Sequence, residues 1–248
     1  MTRTGAVEAL GLRVYVREGG AGEPVLFVHG IGVSGRYFEP LARRLARTHR
    51  VVVPDLPGWG RSERPRQALT LDEAADVLAV LLELERGSPA VVGNSLGCQI
   101  ALRLVERHPA LVGRLVMIGP TVDPRYRGWI VHAARLLLDA AREPPALWRI
   151  AFVDYLRMGA RRLLVTARAA LEDRPERRLP ALEAPLLVVR GERDAIVTRA
   201  WARRLAELAP RGRSLEVRGA AHAAHVSHPA EVAVLVESFL AERGDQGA

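Results

Sequence analysis

The stretch AVVGNSLGC, residues 90–98, runs apolar residues straight into a serine with a glycine two places to either side, and the helical pattern QIALRLVERH follows at once. A short apolar run bounded by glycine reads as a buried strand, and the apolar spacing after Leu96 reads as a helix. Ser95 therefore stands where a strand turns sharply into a helix. So tight a turn forces unusual backbone angles and brings neighbouring segments close, and glycine at 93 and 97 removes the side chains that would collide. The hydroxyl is presented at the carboxyl end of a strand, beside a helix N-terminus whose N–H groups favour negative charge. The alternative for the same residue is an ordinary serine N-cap.

Working outward, the same alternation repeats. PVLFVHG (24–30), RVVVPD (50–55), VGRLVMIG (112–119), APLLVVRG (184–191) and RSLEVRG (213–219) read as strands. Helical patterns fill 36–48, 69–86, 96–108, about 198–209 and 229–243, with Thr70 as an N-cap. The first thirty residues read as an antiparallel hairpin leading in. Val- and Leu-rich strands alternating with helices predict an α/β fold, a mostly parallel central sheet with helices on both faces. Between Gly119 and Pro185 the alternation stops, and helical patterns punctuated by prolines at 120, 124, 144, 145, 175 and 180 predict a helical insertion. The expected organisation is a core of residues 1–120 and 183–248 around a helical insertion at 121–182, which the family resemblance described below makes a cap. The tail ERGDQGA reads as frayed.

Bulk properties narrow the classes of function. The chain has 248 residues, 49% of them hydrophobic, which is enough for one α/β domain with an insertion and is not a disordered composition. No apolar run approaches the roughly 18 residues needed to span a bilayer, and no signal-peptide pattern is evident at the N-terminus. No membrane insertion is expected. Cys98 is the single cysteine, which excludes an internal disulfide and suits a cytoplasmic location. The net charge is +8 and every basic residue is arginine. With 5% aromatics and no basic run interleaved with them, this reads as solvated helix faces rather than a nucleic-acid surface. Oligomeric state is not readable from the sequence.

A serine hydroxyl needs a base to act as a nucleophile, and the base needs an orienting acid. Later strand ends supply both. Asp194 lies in GERDAIV after one strand, and His222 is the first histidine of AAHAAHVSHP after the next. The order Ser95, Asp194, His222 is the chain order that this architecture uses. His225 and His228 compete with His222 but lie nearer the following helix, and Asp123 in GPTVDP is the alternative acid. An oxyanion hole needs two backbone N–H groups. Leu96 supplies one. The loop HGIGVSG (29–35) supplies the other, with Ile31 the first choice and Gly32 the second. His29 reads as a structural hydrogen-bonder beneath that loop.

These motifs together resemble the α/β-hydrolase superfamily, in its branch of small lidded serine hydrolases. HGIG (29–32), DLPGWGRS (55–62), GNSLG (93–97), RGERDAIV (190–197) and GAAH (219–222) carry the resemblance, which spans the chain apart from the insertion. The family pattern at the last motif is Gly-x-Gly-His with a proline seven residues on, which His222 and Pro229 fit. Ala221 replaces the usual glycine, and Ser227 stands where relatives often carry glutamate. The resemblance implies a cofactor-free, metal-free hydrolase with a Ser95–His222–Asp194 triad, acting on a carboxylic ester or similar acyl bond of a small molecule, with the insertion covering the site. GNSLG also resembles the corresponding turn of hydrolases that cleave carbon–carbon bonds in ring-fission diketones, although their Gly-rich oxyanion loop is longer. A further alternative is a slow-turnover small-molecule receptor of the same fold. Serine at 95 argues against chemistries that use a carboxylate nucleophile.

Residues 121–182 carry twelve arginines and seven acids, +5 of the total charge. Phe152, Tyr155 and Trp148 are expected to pack over the pocket. Arg157, Arg161 and Arg162 beside them either face the pocket and bind an anionic substrate group or only solvate the outer surface.

Overall fold

The short apolar runs become strands, the central ones buried on both faces by the segments between them and the last, Gly212–Val217, only half-buried. The computed structural model describes residues 3–242, and residues 243–248 of the tail read above as frayed lie outside the described residues. In chain order the elements are β1 (Arg3–Ala9), β2 (Leu12–Gly19), β3 (Pro24–Val28), α1 (Glu39–Leu45), β4 (Arg50–Pro54), α2 (Leu71–Glu83), β5 (Ala90–Asn94), α3 (Leu96–Arg107) and β6 (Arg114–Ile118). They continue with α4 (Trp129–Ala140), α5 (Pro145–Met158), α6 (Ala160–Glu172), β7 (Leu186–Gly191), α7 (Arg199–Leu208), β8 (Gly212–Val217), α8 (Ala224–Ser227) and α9 (Pro229–Ala241).

The strands form one sheet in the order β1-β2-β4-β3-β5-β6-β7-β8. The leading hairpin β1–β2 is antiparallel, β2 joins β4 antiparallel, and every pairing from β4 through β8 is parallel. The strand period of two sorts the side chains into two cores. Leu26, Val28, Val91, Leu115, Met117, Leu186 and Val188 face α2, α3 and α7. Val25, Phe27, Val92, Val116, Ile118, Leu187 and Val189 face α1 and α9.

Local chemistry sets the helix ends. Thr70 caps α2 with a full capping box: its side chain accepts from the Glu73 N–H at 3.1 Å, and Glu73 accepts from the Thr70 N–H at 2.7 Å. Such a cap contributes about 1 kcal/mol. The helix expected over 36–48 is shorter. Gly35–Phe38 forms a tighter 3-10 turn whose Gly35 N–H is held by the buried Asp55 carboxylate at 2.9 Å, and the α-helix proper begins at Glu39, since Pro40 has no N–H to bond back to Arg36.

Three helices, α4 to α6, separate β6 from β7 and lie over the carboxyl ends of the parallel strands. Polar ties fasten them there. Ser34 Oγ donates to Asp154 of α5 at 2.7 Å, and the Arg162 guanidinium of α6 donates to the Pro65 and Gln67 carbonyls at 2.6 and 3.2 Å. Among the described residues, no helix is long and apolar enough to cross a membrane.

Candidate active site

The turn from β5 into α3 places Ser95 at φ 55°, ψ −121°, a left-handed conformation for a residue with a side chain. Holding a non-glycine residue there costs roughly 1–3 kcal/mol and needs a surrounding structure that over-determines it. The flanking glycines provide this. A Cβ on Gly93 would lie 2.6 Å from the Gly97 carbonyl oxygen, and one on Gly97 would fall on the Val28 carbonyl. The turn is therefore pressed against its own helix and against β3, and the Ser95 N–H is anchored on the Ile118 carbonyl at 3.1 Å.

Asp194 and His222 are brought together from the loops after β7 and β8. The Asp194 Oδ2 lies 2.9 Å from His222 Nδ1, with Asp194 4% and His222 8% exposed. Oδ1 of the same carboxylate accepts the Ile196 and Val197 N–H groups at 2.7 and 2.8 Å, so the carboxylate cannot rotate away. Gly119, at φ 55°, makes room for the ring: a Cβ there would lie 2.8 Å from His222 Nδ1. With Nδ1–H donating to Asp194, Nε2 is the acceptor nitrogen, and it is buried with no partner among the described residues. Burial pulls the His222 pKa down. The Asp194 carboxylate, through its charge and its hydrogen bond, outweighs that effect. With the charges of Asp139 and Glu143 added, the pKa ends above the ordinary histidine value.

The other candidates separate by geometry. His225 is fully buried between the rings of Tyr37 and Phe38, 4.5 and 4.3 Å away, and burial lowers its pKa to about 3. His228 contacts Ser227 at the head of α9. Asp123 binds Arg125 at 2.8 Å and accepts from Thr198 at 2.7 Å, with no bond to a histidine among the described residues. His29 is structural: one ring nitrogen meets the Gly30 carbonyl, and the other accepts the Leu56 N–H, both at 2.9 Å.

Ser95, His222, Gly30 and Ile31 share one cavity of about 330 Å³ with side chains of α4 and α5, among them Leu136, Leu147, Trp148 and Tyr155. Among the described residues, no hydrogen bond uses the Ile31 or Leu96 N–H. Gly32, at φ 77°, lies against the Tyr155 ring, where a Cβ would collide. Trp148 and Tyr155 thus face the cavity as expected, whereas Phe152 is 66% exposed and points away.

None of Arg157, Arg161 and Arg162 lines the cavity. Arg157 and Arg161 are exposed, and Arg162 is committed to the two carbonyls described above. The charged groups on the cavity wall beside His222 are instead two acids, Asp139 and Glu143 of the α4 end. Burial raises the pKa of both carboxyls, Glu143 to about 7, with Asp194 adding to the shift at Asp139 and Asp139 to that at Glu143.

Two further residues organise the site. Tyr37 accepts the Gly30 N–H at 2.9 Å and donates to Asn94 at 2.8 Å. The Asn94 amide reaches the Ile118 carbonyl at 2.9 Å and the His222 carbonyl at 3.4 Å. This network links the loop after β3, the Ser95 turn and the His222 loop. Asp55, the first residue of DLPGWGRS, adds an anchor by pairing with Arg17 at 2.6 Å and holding the Gly35 N–H. Among the described residues, no group of three or more His, Cys, Asp or Glu side chains is arranged to hold a metal ion.

Comparison with known proteins agrees with this architecture. The profile of the alpha/beta hydrolase family matches residues 25–235. A 2-hydroxymuconate semialdehyde hydrolase of Pseudomonas sp. (strain CF600) is 30% identical, over 94% of this chain and 92% of that protein. A pimeloyl-[acyl-carrier protein] methyl ester esterase of Xanthomonas oryzae pv. oryzae is also 30% identical, over 90% of this chain and 96% of that protein. The crystal structure of an enol-lactonase from Burkholderia xenovorans superposes with a TM-score of 0.81 at 20% identity, covering 96% of this chain and all of that one, and shares the fold. The chain belongs to the alpha/beta hydrolase family.

Proposed function

We propose that this protein is a serine hydrolase that cleaves an ester or similar acyl bond of a small, mainly apolar molecule through an acyl-enzyme. One observation carries the reading. The Asp194–His222 pair leaves Nε2 free in the same cavity that receives Ser95 from its strained turn.

In this mechanism the Ser95 hydroxyl attacks the substrate carbonyl while His222 Nε2 takes its proton. The Asp194 carboxylate keeps the other proton on Nδ1 and stabilises the imidazolium that forms. The oxygen that gains charge accepts the N–H groups of Ile31 and Leu96, a pre-set pair of dipoles in a site with little water. The imidazolium then gives its proton to the departing alkoxide, leaving the acyl group on Ser95. A water molecule, deprotonated by His222, repeats the attack and releases the acid. Residues 121–182 serve as the cap: Trp148, Tyr155 and Leu147 exclude water and shape an apolar acyl site.

Cleavage of a carbon–carbon bond in a ring-fission product is the second reading, favoured by the relative of that chemistry at 30% identity over nearly the whole chain. The same serine would attack a ketone, and a carbanion would take the place of the alkoxide. The test offers the purified protein p-nitrophenyl esters of graded acyl length and, separately, a coloured vinylogous diketone. The proposal expects continuous ester turnover that vanishes in Ser95→Ala. Faster bleaching of the diketone would move the assignment to the second reading. A single equivalent of nitrophenol with nothing after it would identify a receptor.

A further inference from the structure

The end of α4 holds the two catalytic loops from above. The Asp139 Oδ1 accepts the N–H of Ala195 at 2.9 Å, and Arg142 donates to the Arg193 carbonyl at 2.7 Å. These are the residues immediately after and before Asp194. Glu143 accepts the N–H of Ala223, the residue after His222, at 2.5 Å. One turn of the cap segment therefore grips the acid loop on both sides and the histidine loop on one. Asp139 is 3% exposed, and the second Glu143 oxygen is buried without a partner among the described residues. Desolvating carboxyls costs free energy that ordinary packing side chains would not incur, and these two recover it through backbone N–H groups beside Asp194 and His222. Nothing in the acyl-transfer steps uses them directly.

From this geometry we infer that Asp139, Arg142 and Glu143 are positioning residues, which align the Asp194–His222 pair only while the α4 end is seated on the two loops. The inference rests on the serine-hydrolase reading. It makes catalytic alignment conditional on cap placement, so that entry of substrate past a displaced α4 loosens the pair and reseating restores it. Binding of the acyl group, which lies against Leu147, Trp148 and Tyr155, does not depend on these contacts.

The test measures kcat and KM on a neutral ester for Asp139→Ala, Glu143→Ala, their Asn and Gln counterparts, and Arg142→Ala. Active sites are counted with a fluorophosphonate so that misfolded protein does not enter kcat. A misplacement of about 1 Å can cost on the order of 100-fold in rate, so the alanine variants are expected to lose about tenfold or more in kcat with KM within about twofold. Glu143→Gln and Asp139→Asn keep an acceptor oxygen for the same N–H groups and should recover kcat to within about threefold of wild type. Arg142 is exposed, so Arg142→Ala should fold normally and still lose kcat. The inference is overturned if the alanine variants keep kcat within about twofold, if the loss appears only in KM, or if the amides are as impaired as the alanines. Should the buried alanine variants fail to fold, wild-type kcat in Arg142→Ala overturns it alone. Absence of both labelling and ester turnover in the wild-type protein would instead remove the serine-hydrolase reading beneath it.

Discussion

Asp194→Asn separates orientation of the histidine from mere packing, because the surroundings dictate how the new side chain sits. Oδ1 of Asp194 accepts two backbone N–H groups, from Ile196 and Val197, and Oδ2 faces His222 Nδ1. An asparagine satisfies the two N–H groups only by placing its oxygen at the first position, which turns its NH2 toward His222. Nδ1 must then accept, the ring proton moves to Nε2, and the base can no longer take the proton of Ser95. Flipping the amide restores the productive tautomer but leaves two buried N–H groups facing an NH2, at about 1–3 kcal/mol each. At a factor of ten per 1.4 kcal/mol, the productive form falls by roughly 30-fold to 10⁴-fold. The range reaches the loss of about 10⁴ seen when a triad aspartate is amidated elsewhere. The assay is kcat/KM on a p-nitrophenyl ester near pH 8, with circular dichroism confirming the fold. Asp123→Asn serves as the control, since Asp123 is occupied by Arg125 and Thr198. Asp194→Asn within a few-fold of wild type, or Asp123→Asn as the dead variant, would refute the reasoning.

Other outcomes follow from the same contacts. Gly119→Ala puts a Cβ 2.8 Å from His222 Nδ1 at a left-handed φ, so steady-state kinetics should show kcat reduced by about tenfold or more in protein that still folds; unchanged kcat would mean that the ring does not need its present seat. His225 is neutral in the folded chain, with a pKa near 3, and protonates near 6.5 once unfolded. Its contribution is therefore whole above pH 6.5 and is lost as pH falls toward 3, at about 1.4 kcal/mol per pH unit. Urea unfolding of His225→Phe at pH 6.5, 5.5 and 4.5 should show a correspondingly shallower loss of stability than wild type; parallel curves would contradict the burial argument. The cavity wall carries two acids and no arginine, so an ester ending in a carboxylate should have a kcat/KM at least about tenfold below that of its methyl-ended analogue, and a preference for the carboxylate would mean that an arginine reaches the pocket after all.

Geometry confined to one turn was legible in the sequence. Gly93, Ser95 and Gly97 announce their turn because all three constraints fall within five residues, and Asp194 and His222 follow strands whose apolar runs are unmistakable. The antiparallel leader and the parallel sheet were legible for the same reason. What escaped was long-range. Tyr37 and Asn94 lie 57 positions apart and are unremarkable alone; only the packed sheet joins them to Gly30 and His222. Asp139 and Glu143 did leave a signal, two acids four positions apart where the amphipathic helix α4 ends, but the sequence does not say which face looks inward. The same ambiguity kept the arginines of α5 and α6 open as pocket residues, until the structure turned Arg157 and Arg161 to solvent and Arg162 to the Pro65 and Gln67 carbonyls.

The most direct test of the central claim is covalent labelling. The purified protein is incubated with a fluorophosphonate, its intact mass is recorded, and the modified peptide is sequenced. The account predicts one adduct per chain, carried by Ser95, absent in Ser95→Ala and formed far more slowly in His222→Ala. An adduct on another residue that persists in Ser95→Ala at the wild-type rate, or continued ester hydrolysis by that variant, would contradict it.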